Sequence, residues 1–274
     1  MTYGDVIAIY SYISALHKMV VVTPYLMGGL GNWLFQAAFA RLLGGDKAVI
    51  SIHQCSRSPH STIDYLQTIL GRYPQTDARD IKFNLLKENE DMESFDIPKV
   101  MKAAENLDVL LYGYFQKHEY IPENFGDLLN YKNPSLLLKY PDIGETCFIH
   151  IRGGDYVGSP VHDVGLSSRY YPLCIEFMKK RGITRFTVFT NDRNYCGSQK
   201  YLDDIRYTII DENELDTLYL MTECKAGITA NSSFSWWGAY LNRDRPLCVP
   251  SKWFNNPAMN IGGYFFPGCF IHQV

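Results

Sequence analysis

The 274-residue sequence has no run apolar and long enough to cross a bilayer, which takes about 20 consecutive apolar residues. The best stretch, Val6 to Leu16, covers eleven residues and is broken by Tyr10, Ser11, Tyr12 and Ser14. Asp5 stands where a secretory signal would carry positive charge, so a cytoplasmic protein without a membrane span is expected. No C-x-x-C pair occurs. The seven cysteines (Cys55, Cys147, Cys174, Cys196, Cys224, Cys248 and Cys269) are odd in number and widely spaced, which speaks against a disulfide frame or zinc ribbon and for reduced thiols. D-x-D and H-E-x-x-H are missing and the seven histidines are scattered, so no metal is expected. The G-x-S-x-G elbow of hydrolases, the Walker lysine and the G-x-G-x-x-G dinucleotide spacing are missing too. A net charge of −3 without a basic stripe argues against a nucleic-acid partner.

What is present describes a globular α/β protein, with 46% hydrophobic and 20% charged residues. Met19, before VVVTPYLMGGLGN, marks an alternative start, and residues 1–18 read as an appendage outside the fold. Residues 20–27 read as a strand that ends at Gly28-Gly29-Leu30-Gly31-Asn32, followed by an apolar helix closing near Gly44-Gly45. Strands are expected at 48–52 and 108–114. Residues 53–107 lack a period, and the acidic run at 88–96 reads as a solvated face. Lys132 to Glu145, with Pro134, Pro141 and Gly144, reads as a linker between two halves, 19–140 and 141–274. Beyond it, strands at 146–151, 185–190, 206–210, 226–230 and 246–250 alternate with helices near 170–181, 213–225 and 234–241, the pattern of a parallel sheet.

Open parallel sheets bind ligands outside the carboxyl ends of their strands. Three strands here end in polar loops: His150 to Tyr156, Phe189 to Asp192, and Asn231 to Ser235. Arg152 offers a planar fork suited to phosphate, against the alternative of a structural pair with Asp155 or Asp192. The serine loop reads equally as an anion site at a helix N-terminus or as ordinary capping, and Asp192 either meets a purine edge or caps a helix. His150 on its own reads as a core histidine. Trp33, Trp236, Trp237 and Tyr114 read as sugar-stacking or core aromatics.

In order, GGLGN with FQAA, GYFQ at 113–116, HIRGGDYV at 150–157, FTND at 189–192, ANSSFSWWGAYLN at 230–242 and VPSKWFNN at 249–256 resemble the α-1,2-fucosyltransferases of glycosyltransferase family 11. The resemblance runs from about Met19 to Asn256. It implies a GT-B-like fold of two Rossmann-like halves facing a cleft, and makes 19–140 the acceptor side and 141–274 the nucleotide-sugar side. It also implies GDP-fucose as donor substrate, a galactose-terminated glycan as acceptor, inversion at the anomeric carbon, and no cofactor or metal. Carried over, Arg152 holds the diphosphate, and His150 and Asp192 lie near guanosine. Asn231, Ser232, Ser233 and Ser235 line the phosphate and ribose side, and Gly29, Gly31, Asn32 and Gln36 shape the opposite wall.

The expected acceptor side comprises Trp33, Gln36, Tyr114 and His162. Asp155 is the expected proton acceptor, with orientation of Arg152 as its alternative role and His162 or Asp163 as substitutes. Two positions depart from the family: Gly153 replaces a second arginine, and Trp33 replaces a glutamine. An arginine at 153 is therefore expected to tighten GDP binding. Other linkages and a decayed glycan-binding protein are the competing readings.

Overall fold

The computed structural model describes residues 21–274 except 57, 59, 60 and 79–81; the appendage expected at 1–18 and the start at Met19 lie outside the described residues. The first half contains β1 (Val22–Pro24), α1 (Leu30–Gly44), β2 (Ile50–Ser51), β3 (Gln75–Thr76), β4 (Asn84–Lys87), α2 (Ile97–Ala104) and β5 (Val109–Tyr112). Strands β1, β5 and β4 pair in that order, all parallel, and β2 pairs with β3. Parallel bridges from Val22 to Ala48 and from Leu26 to Cys55 run β2 alongside β1 on its other side. The chain thus steps outward from β1 through β2 to β3 on one side, crosses to the far edge at β4 and returns to β5 beside β1, so the loops after β1 and β5 are neighbours.

After a short helix α3 (Leu136–Lys139) come β6 (Cys147–Ile151), α4 (Tyr170–Lys179), β7 (Arg185–Thr190), α5 (Arg193–Gly197), β8 (Arg206–Ile209), α6 (Glu214–Glu223), β9 (Ala226–Ile228), α7 (Ser233–Tyr240), β10 (Leu247–Pro250) and β11 (Phe270–His272). Their parallel sheet has the order β11-β10-β9-β6-β7-β8. Strand β6 is buried along its whole length, as a strand covered on both faces must be, whereas edge strand β8 alternates with solvent. The order reverses between β6 and β9, and a doubly wound sheet binds at that reversal. Two such parallel sheets with facing loop ends make a GT-B-like α/β fold.

Local chemistry explains the helix ends. Asn213 accepts the Leu215 and Asp216 amides to cap α6, whose first turn carries Glu214 and Asp216. Asp96 caps α2 through the Lys99 amide. The segment expected to be a linker is folded onto the core instead, because Leu136 and Ile143 bury their side chains. The core also crosses between halves: Trp236, Trp237, Trp253, Tyr264 and Phe266 pack in one cluster with the side chains of α1 and β5, while a second cluster lies wholly in the second half. All seven cysteines are free thiols. Among the described residues no helix is long and apolar enough to cross a membrane.

Candidate active site

Two helices begin where the sheets face each other. α1 follows β1, α7 follows β9, and Gly31 brings their first turns into backbone contact: a Cβ on Gly31 would lie 2.4 Å from the Ser233 carbonyl carbon and 2.5 Å from the Phe234 nitrogen. The Trp237 indole locks the approach by donating to the Gly31 carbonyl at 3.0 Å. Neither N-cap, Gly29 nor Ser232, supplies a side-chain cap. Two positive helix ends therefore converge with their first-turn N–H groups uncapped by side chains, a setting that favours an anion.

The cleft between the halves measures about 1380 Å³. From the first half it is lined by Gly29, Gly31, Asn32 and Tyr114, and from the second by His150, Arg152, Asp155, His162 and Asp192 with Asn231, Ser232 and Ser233. Arg152 leaves the carboxyl end of β6 beside the β9 loop, at the order reversal. One of its terminal nitrogens donates to Asp155 at 2.8 Å, its guanidinium lies 5.0 Å from the Tyr156 ring centre, and its Nε is buried with no partner among the described residues. That orphaned donor fits a ligand oxygen. His150 is buried, its Nδ1 has no partner among the described residues, and burial followed by the Arg152 charge pulls its pKa down to about 3, so the ring is neutral. It is a histidine facing the cleft, not a satisfied core residue.

Asp192 caps α5 through the Tyr195 amide at 2.9 Å and accepts the Gly154 amide at 3.2 Å. These backbone bonds, the Tyr195 one foremost, hold its carboxyl below the usual range. Capping is thus its observed contact, with lone pairs left towards the cleft. His162 stacks on Tyr156 at 4.6 Å, and burial lowers its pKa. Asn231 donates to the carbonyls of His162 and Trp253, both at 2.9 Å, and so pins three loops together. Asn32 accepts from Ser233 at 2.8 Å and from Gln116 at 2.6 Å, joining the halves across the cleft floor.

Three expected site residues do not line the cleft. Ser235 is fully buried, where its hydroxyl donates to the Ser232 carbonyl and accepts the Ala230 amide, stapling the serine loop from beneath. Gln36 is also fully buried; it accepts the Met27 amide and donates to the Gly113 carbonyl, both at 3.0 Å, fixing the two first-half loops from behind. Trp33 turns into the core, edge-on to Tyr65 at 5.1 Å. Asp163 holds its own turn by accepting the Gly158 and Gly165 amides. Gly153 likewise faces inward: a Cβ there would lie 2.6 Å from Asp192 Cβ and 3.0 Å from the Tyr195 ring, so it points into α5.

One cleft residue lies inside the run read as a solvated face. Glu88 follows β4 directly, is buried, and accepts the amides of Tyr114 at 2.7 Å and Phe115 at 3.0 Å. Burial raises its pKa. Its sequence signal was its place at the carboxyl end of Leu85-Leu86, masked by the acids that follow.

The profile of the family described as glycosyl transferase family 11 matches residues 13–260. The chain belongs to that family. It is 27% identical over 280 aligned positions to an alpha-1,2-colitosyltransferase of Escherichia coli, covering 88% of this chain and 95% of that one. A second Escherichia coli relative, the O-antigen biosynthesis glycosyltransferase WbnK, is 33% identical over 141 positions, 47% of this chain and 46% of that one. Among solved structures the family 11 chain is similar to the fucosyltransferase NodZ from Bradyrhizobium at TM-score 0.48 and 12% identity, covering 81% of this chain and 92% of that one, a likeness too loose to carry weight.

Proposed function

We propose that this glycosyltransferase moves fucose from GDP-fucose to the 2-hydroxyl of a terminal β-galactoside, with inversion and without a metal ion or cofactor. The observation that supports it most is Arg152, with a buried unpartnered Nε, at the order reversal of the second sheet and lining one cleft with two uncapped helix N-termini. In this reading Arg152 and the first-turn N–H groups of α7 stabilise the charge that grows on the leaving diphosphate. Asp155 orients Arg152 through their ion pair. His150 and Asp192 sit on the guanosine side, and Ser232 and Ser233 on the phosphate side. Tyr114 and His162 face the acceptor. The seven free thiols support work in the reducing cytoplasm.

A second donor reading is favoured by the colitosyltransferase relative. Colitose is the 3-deoxy analogue of fucose, and a site that hydrogen-bonds the 3-hydroxyl would discriminate strongly between them. Incubation with each GDP-sugar and a panel of galactosides, followed by determination of the product linkage, tests both. An α-1,2-fucosyl product supports the first reading, transfer of colitose alone the second, and transfer from neither a decayed binding protein. Turnover is expected to survive excess EDTA; loss restored by manganese or magnesium overturns the metal-free mechanism.

A further inference from the structure

We propose that Glu88 is the general base that deprotonates the acceptor hydroxyl, a role that rests on the inverting GDP-sugar reading above. Inversion requires the acceptor oxygen to approach the anomeric carbon from the face opposite the leaving diphosphate. Arg152 and the serine loop place the diphosphate on the second half, so the base belongs to the first. Asp155, paired with Arg152 at 2.8 Å, is on the leaving-group side. Among the described residues, the carboxylates lining the first half's wall are Glu88 and Glu90, and Glu90 is exposed.

Glu88 is buried and aimed. The Tyr114 and Phe115 amides occupy one site on each carboxylate oxygen. A carboxylate has about four such sites, so lone pairs remain for a substrate hydroxyl. The same two bonds hold the loop in which Phe115 takes a left-handed φ of 51° and Tyr114 stands at the cleft wall. The base and the acceptor wall are therefore built as one unit. In the step, the acceptor oxygen forms its bond to the anomeric carbon while its proton passes to Glu88. The bond from that carbon to the β-phosphate oxygen breaks with its electron pair leaving on GDP, and the proton returns to solvent after product release.

The ionisable groups around Glu88 are Lys117, Tyr120 and Tyr264, with Glu119 and Asp91 beyond Lys117. Burial pushes both phenols above 10, so neither titrates on the acid side, where the base must lose activity by protonation. The test uses the full-length protein with GDP-fucose and its galactoside. Glu88→Gln is expected to lower kcat by about 10²- to 10⁴-fold and flatten the acidic limb of the kcat profile, with GDP affinity unchanged by calorimetry. Glu88→Asp, which keeps a carboxylate but shortens its reach, is expected to lose at least about tenfold in kcat and to keep an acidic limb. Glu88→Gln with kcat near wild type, or Glu88→Asp at full kcat, overturns the base role. If Glu88→Gln fails to fold, Glu88→Asp decides alone. A wild-type protein that neither binds GDP nor transfers fucose overturns the donor reading instead.

Discussion

Arg152 exposes 17% of its side chain, which is enough for a ligand to reach and little enough for its charge to act in a poorly screened setting. Arg152→Ala is expected to lower turnover on the order of 100-fold or more, since two charge-assisted bonds at about 1.5 kcal/mol each are lost. Circular dichroism and melting should match wild type; a variant with most of its turnover would remove the residue from the mechanism. At position 153 the packing points to the opposite expectation from the one the family pattern suggests. With Asp192 Cβ 2.6 Å from where a side chain would start, Gly153→Arg is expected to push α5 away. A loss of about 1–3 kcal/mol from overpacking, read by denaturant melts, should accompany weaker GDP binding by calorimetry. Tighter GDP binding with an unchanged midpoint would mean the loop is packed differently. Which side chains meet the ligand was only partly legible. Arg152 and Ser232–Ser233 stand at strand ends, a local property. Gln36 and Ser235 spend their polar atoms on loops, as Asn231 does its amide nitrogen, and for Gln36 one partner is 77 residues away, beyond any local pattern.

At the scale of elements, the long strands and helices of the second half were readable because a strand buried on both faces is a continuous apolar run. Strands β3 and β4 were not, since both are short and largely exposed. The meeting of α1 and α7 also left only a weak trace, the glycines that precede and open α1. That meeting is testable. Gly31→Ala places a methyl against the backbone of Ser233 and Phe234, which cannot rotate away as a side-chain tip would. A loss of about 1–3 kcal/mol in stability and a fall in GDP affinity are expected, because separating the helix ends separates the anion donors. Gly197→Ala, whose new methyl meets nothing within 4 Å among the described residues, is the matched control and should gain at most about 0.4–1 kcal/mol in stability with GDP affinity unchanged. Equal behaviour of the two variants in melting and calorimetry would sink the close approach.

At the scale of the molecule, one buried group couples the cleft to the stability of the whole. The His150 pKa is depressed from 6.5 to about 3 in the folded state, so unfolding takes up a proton in the window between those values. The sign follows from linkage: stability is fully present above pH 6.5, declines as pH falls below it, and the loss is complete below about 3. Each pH unit within the window costs roughly 1.4 kcal/mol from this residue alone. Between pH 7 and pH 5 wild type should therefore lose about 2 kcal/mol more than His150→Gln, which cannot titrate. Glu88 works in the opposite sense, since burial raises its pKa and protonation on acidification favours the fold, but it is common to both proteins and cancels in the difference. Urea melts of the two proteins at both pH values give the measurement. Parallel losses would mean that His150 is protonated without penalty, which requires water or a bound anion at its Nδ1. Adding GDP should then separate these cases: a ligand that seats beside the neutral ring stabilises wild type more at pH 7 than at pH 5, whereas one that pairs with a protonated ring reverses that order.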